Sequence, residues 1–202
     1  MPLTMFGLLE MVLSRRSHFV EATALRMLLE KNLSFSRVEH AAIPLHIVAT
    51  DMQSGKEIIL SSGPLVDAVL ASAAIPGVFP PVRIDGVDLV DGGVANNTPI
   101  SVAISLGATR VIVLPAGFAC AIRKPPGNPI AQAMHALTLL IARQLVRDLE
   151  SYSSRAEIFV VPPLCPLDVS PYDYTQCDHL VERAAAKTRA WLHEGGLERG
   201  LI

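Results

Sequence analysis

Apolar positions along the chain fall into alternating helical and extended segments separated by turn residues. Phe19, Ala22, Leu25, Arg26, Leu28 and Leu29 lie near one stripe and predict a helix over Phe19–Lys31, with Ser17 as its cap. Leu45–Ala49 and Ile58–Leu60 read as strands joined by a turn around Gly55, and together they predict a hairpin. Leu65–Ala74 is a short, nearly all-apolar helix that Pro76 and Gly77 stop. Phe79, Pro80, Pro81 and Val82 read as irregular, because proline fixes its own φ and restricts the residue before it. Val87–Val90 is extended and runs into Asp91.

The next stretch, NNTPISVAISLGATRVIVLPA, predicts strand, helix, strand: Thr98 suits a helix cap, Pro99 the first helical position and Gly107 a left-handed stop. Val111–Leu114 lacks polar alternation, as a strand covered on both faces of a parallel sheet would. Ile130–Tyr152 predicts a long helix whose first half is apolar almost all round, the pattern of a core helix more often than of an acyl-binding wall. Glu157–Val161 is a last strand and Cys177–Glu194 a closing amphipathic helix ended by Gly195. With no repeat and no dividing linker, residues 1–202 read as one domain.

Composition narrows the class. Half of the 202 residues are hydrophobic, only 18% are charged, and the mean hydropathy is +0.41. Globular chains average about 25% charged residues, so this chain has less charge than usual to cover its surface. Disordered and fibrous classes are excluded. A net charge of −2 and the lack of any basic run argue against a nucleic-acid partner. The odd set Cys120, Cys165 and Cys177 has no C-x-x-C pair, which fits reduced thiols and a cytoplasmic location. Arg15 and Arg16 follow the apolar stretch Met1–Leu13, the reverse of a signal peptide, and Pro, Gly or Asn interrupts the long uncharged runs. Neither a cleaved export signal nor a transmembrane helix is expected.

Candidate chemistry centres on Leu89-Val90-Asp91-Gly92-Gly93. A carboxylate at the carboxyl end of a buried parallel strand, which is how Val87–Val90 reads, followed by two glycines that let the chain turn sharply, lies where open α/β sheets place ligands. A plain Asp-Gly turn is the competing reading. The blocks IPLHIVATDMQSGKE, PLVDAVLASAAIPGVFPPVRIDG, VDLVDGGVANNTPI and SLGATRVIVL, spanning Ile43 to Leu114, resemble the patatin-like phospholipase family. The resemblance implies a three-layer α/β/α fold with a mostly parallel central sheet. It also implies lipid acyl hydrolysis by a serine and aspartate dyad with no obligatory cofactor, and it makes Asp91 of the D-G-G motif the dyad base.

Within such a dyad the aspartate takes the serine proton as the hydroxyl attacks an ester carbonyl, and returns it to the leaving alcohol. The family presents its serine in G-x-S-x-G behind a glycine-rich oxyanion loop, and neither motif occurs in the 202 residues. None of Ser61, Ser62, Ser72, Ser101 and Ser105 has the pair of flanking glycines that makes an elbow possible, and no histidine among His18, His40, His46, His135, His179 and His193 has a catalytic context. Asp51 reads as a carboxylate satisfying turn amides. Asn96 and Asn97 read as orienting the helix near Thr98.

The chain therefore resembles a patatin-like domain without its amino-terminal part, inactive by itself. Its expected partners are a lipid or acyl ester, a membrane surface touched peripherally, and other copies of itself through uncovered apolar faces. The alternative is a non-catalytic remnant that binds acyl chains or a protein partner.

Overall fold

In the computed structural model, residues 18–115, 127, 129–165 and 174–198 are described. They form an α/β chain whose contacts divide it into two compact units, one up to Asn96 and one from Asn97.

The first unit opens with helix α1 (Thr23–Asn32). It starts four residues later than the stripe predicts, because the backbone N–H groups of Phe19 and Val20 bond the carbonyls of Gly77 and Val78 instead of entering a helix. The predicted cap Ser17 lies outside the described residues. Strands β1 (Ile47–Asp51) and β2 (Glu57–Leu60) form the expected hairpin, with Ile47 opposite Leu60 and Thr50 opposite Glu57. Helix α2 (Leu65–Ser72) buries Leu65, Ala68, Leu70 and Ala71, and is tied to α1 by an Arg26–Asp67 ion pair of 2.6 Å.

A strand that sequence periodicity missed follows. β3 (Val82–Ile84) includes Val82, which was expected to be irregular, and pairs antiparallel with β4 (Val87–Asp91). Asp85 (φ 48°) and Gly86 (φ 84°) make the connecting turn, with positive φ at both central positions. That is the two-residue turn whose twist matches a hairpin, and Asp-Gly is among its preferred sequences. The sheet order is β2-β1-β4-β3 and every pairing in it is antiparallel. The reading of β4 as a parallel strand is thus corrected: hairpins, not helical crossovers, join these strands to their partners. Ala49, Ala71 and Leu89 form the buried contact between α2 and the sheet.

The second unit holds the parallel pair. Helix α3 (Ile100–Ser105) leads through Gly107, at φ 94°, to β5 (Arg110–Val113). Pro99, not Thr98, occupies the cap position and no side chain caps the helix. Helix α4 (Pro129–Tyr152) crosses over to β6 (Glu157–Val160), which pairs with β5 in parallel register from Arg110↔Glu157 to Val113↔Val160. Ile100, Val113, Leu145 and Ile158 form its core. Leu137, Leu139 and Leu140 of α4 remain exposed, so these three leucines do not take the core position expected of the helix. Helix α5 (Cys177–His193) ends at Gly195, as its pattern predicts.

Cys177 is free and exposed, but Cys165 is disulfide-bonded. The expectation of reduced thiols is corrected there, and the cytoplasmic reading loses the support it drew from them. No described helix is long and apolar enough to cross a membrane.

Candidate functional site

β4 carries Asp91 to the end of the sheet, directly opposite Ala49 of β1. Leu89 and Val90 anchor the strand in the core. The Asp91 N–H donates to the Ala74 carbonyl beyond α2 at 2.9 Å, and its own carbonyl accepts from the Thr50 hydroxyl at 2.8 Å. The chain then enters a 3₁₀ turn, Gly92–Val94, capped by Asp91 itself: Oδ1 accepts the Gly93 N–H at 2.7 Å.

Glycine at position 92 is a packing requirement. A Cβ there would sit 2.3 Å from the Val48 carbonyl oxygen, so the turn passes flush against the β1 backbone. The Asn96 N–H returns to the Gly92 carbonyl at 2.8 Å, and the Asn96 side chain donates to the Glu57 carboxylate on β2. Asn96 thus ties the turn to the sheet.

The Asp91 carboxylate is half-buried and makes no other hydrogen bond among the described residues. Burial pushes its proton affinity above the ordinary carboxylate value, and the Gly93 N–H partly opposes the shift. The result is a fixed carboxylate with one oxygen held and the other available to a proton donor.

Asp51, in contrast, is spent locally. Its carboxylate accepts from the Gln53 and Ser54 N–H groups and from the Ser54 hydroxyl, and these bonds, the hydroxyl's first, lower its pKa. This matches the turn-satisfying role read from the sequence. The structure also joins two residues that sequence reasoning had kept apart: His46 Nδ1 lies 2.7 Å from the Ser61 hydroxyl. Their signal was the hairpin register, which places both one step beyond the Ile47–Leu60 pair. No acid orients the other ring nitrogen among the described residues, so this contact lacks the third member of a triad. Nor does any group of three or more His, Cys, Asp or Glu converge as a metal site among those residues.

Residues 8–104, a little under half of the chain, match the family model for patatin-like phospholipase, and the match supports assignment of this segment to that family. An uncharacterized NTE family protein of Mycobacterium tuberculosis is 39% identical over 77 residues, which are 38% of this chain and 21% of that protein. A second from the same organism is 43% identical over 65 residues, 32% of this chain and 11% of the relative. The patatin-like phospholipase domain-containing protein 7 of Rattus norvegicus is 35% identical over 83 residues, 40% of this chain and 6% of the relative. The chain thus spans no more than about a fifth of the length of these curated relatives.

Proposed function

We propose that the chain is part of a patatin-like lipid acyl hydrolase and that Asp91 is the base of its serine–aspartate dyad. The observation that carries this reading is the Asp91 carboxylate: one oxygen held by the Gly93 N–H, the other without a hydrogen bond among the described residues, and proton affinity raised by burial. A serine Oγ attacks the ester carbonyl while its proton passes to the open oxygen of Asp91. The tetrahedral intermediate collapses, the C–O bond to the alcohol breaks, and Asp91 returns the proton to the leaving oxygen. Water then attacks the acyl-serine by the same route, losing its proton to Asp91, which returns it to the serine oxygen as the carboxylic acid departs.

The 202 residues contain no G-x-S-x-G. The reading takes the serine from polypeptide joined to this segment in the whole protein, consistent with the much greater length of the relatives. Residues 1–202 would then be the carboxyl-terminal portion of a single patatin-like domain, inactive by themselves and acting in the whole protein on lipid esters at a membrane surface.

The test uses the longest natural reading frame that contains these residues, assayed on a p-nitrophenyl ester and on phosphatidylcholine vesicles. Asp91→Asn keeps the cap acceptor but cannot take a proton. It is expected to lower hydrolysis by about a thousandfold or more with the circular dichroism unchanged. Undiminished hydrolysis in Asp91→Asn would overturn the dyad. Saturable acyl binding with no hydrolysis by the longest frame would establish the non-catalytic alternative instead.

A further inference from the structure

Thr50 is only 1% exposed, at the centre of the four-stranded sheet. A buried hydroxyl must find partners, and the ladder bonds of β1 do not use it. Its oxygen donates to the Asp91 carbonyl at 2.8 Å and accepts the Ala95 N–H at 3.2 Å. These two groups bracket the Gly92–Val94 turn, one immediately before it and one immediately after. Between them lies the Gly93 N–H that holds the Asp91 carboxylate.

We propose that Thr50 is the positioning residue of the site, its single hydroxyl clamping both ends of the turn so that the Gly93 N–H and the Asp91 carboxylate are fixed relative to β1. This rests on Asp91 being the dyad base, and it assigns to Thr50 a role through Asp91, with no contact to substrate. The β-branched side chain suits the task, since threonine has few χ1 states on a strand and presents its oxygen with little entropy loss. Glu57, opposite Thr50 on β2, adds a second anchor by accepting from the Asn96 side chain just past the turn. A base must be held to within about 0.5 Å of its working geometry, so loosening this clamp should fall on kcat and spare KM.

Two measurements separate positioning from packing. In the ¹⁵N-labelled 202-residue chain, Thr50→Val keeps the shape and removes the hydroxyl. The Gly93 and Ala95 amides are expected to exchange about tenfold faster or more, while the Val48 and Ala49 amides hold their rates as internal controls. Thr50→Ser restores the hydroxyl and should return exchange to within about threefold of the native rate. In the longest reading frame, Thr50→Val should lower kcat at least about tenfold with KM within about twofold, and Thr50→Ser should recover most of the loss.

Native exchange and kcat in Thr50→Val would overturn the proposal. So would a Thr50→Ser as impaired as Thr50→Val, which would show that keeping the hydroxyl does not by itself hold the turn. If Thr50→Val does not fold, Thr50→Cys, whose thiol keeps the volume with weaker hydrogen bonds, takes its place with exchange expected between native and tenfold faster; native rates there would overturn the clamp. Should Asp91→Asn retain full hydrolysis, the dyad falls, while the exchange measurement still decides whether Thr50 holds the turn.

Discussion

The first unit closes its sheet with two hairpins and packs α2 across it, so that Ala49, Ala71 and Leu89 are all but inaccessible. In the second, β5 and β6 pair in parallel through the long α4 crossover, and apolar side chains beside that core stay open: Ile112 is 50% exposed, Leu114 71% and Leu140 68%. Parallel strands are ordinarily covered on both faces, so a bare two-stranded pair buries less of its own apolar sequence than an antiparallel meander does. The difference shows which unit can hold a carboxylate still: Asp91 sits where neighbouring strands and a helix supply nearly every backbone partner.

The substitution with the largest expected effect strikes that closure directly. Gly92→Ala forces a methyl into the Val48 carbonyl and should cost the first unit about 3 kcal/mol or more, read from the urea unfolding midpoint. A near-native midpoint would show that β1 and the turn are less tightly joined than described.

The same leucine truncation, made once in each unit, sharpens the contrast. Leu89→Ala, at 1% exposure, is expected to cost about 2–5 kcal/mol, and Leu140→Ala less than about 0.5 kcal/mol. Equal costs at the two positions would mean that Leu140 is covered in solution.

The smallest effect is electrostatic and tests the burial of Asp91. Because its folded pKa is raised, the folded state binds more protons than the unfolded between the ordinary carboxylate value and the raised one. Stability therefore falls as pH rises through that window. Asp91→Asn removes the dependence while keeping the cap, and should stabilise the chain at neutral pH by less than about 1 kcal/mol, the partial exposure of the group limiting the gain. Thermal melts of both proteins across pH 4–8 would check the sign.

Much of this organisation was legible in the residues. The β1–β2 hairpin, α2, β4, α4, β6 and α5 fall within about two residues of their sequence limits, because each has a clear period and a local stop. β3 was hidden by Pro80 and Pro81, although Asp85-Gly86 was a hairpin signal already in view. Thr98 failed as a cap because Pro99 takes that place. Asp91 stood out through its two glycines. Its surroundings did not, since Thr50 reaches the turn across 41 and 45 positions of chain, and only strand register brings such residues together. The antiparallel sense of β4 was likewise a matter of pairing partners, which burial patterns alone do not specify.

Gly92 and Asp91 have different reasons to persist. The glycine is demanded by the Val48 carbonyl whether or not any ester is ever cleaved, so a descendant that had lost its chemistry would still carry it. The cap at Asp91 needs only a short acceptor, which asparagine or serine supplies equally well. Among homologues, then, retention of the glycine marks ancestry, and, with Asp91 as the proposed base, retention of the carboxylate beside it would mark a living enzyme.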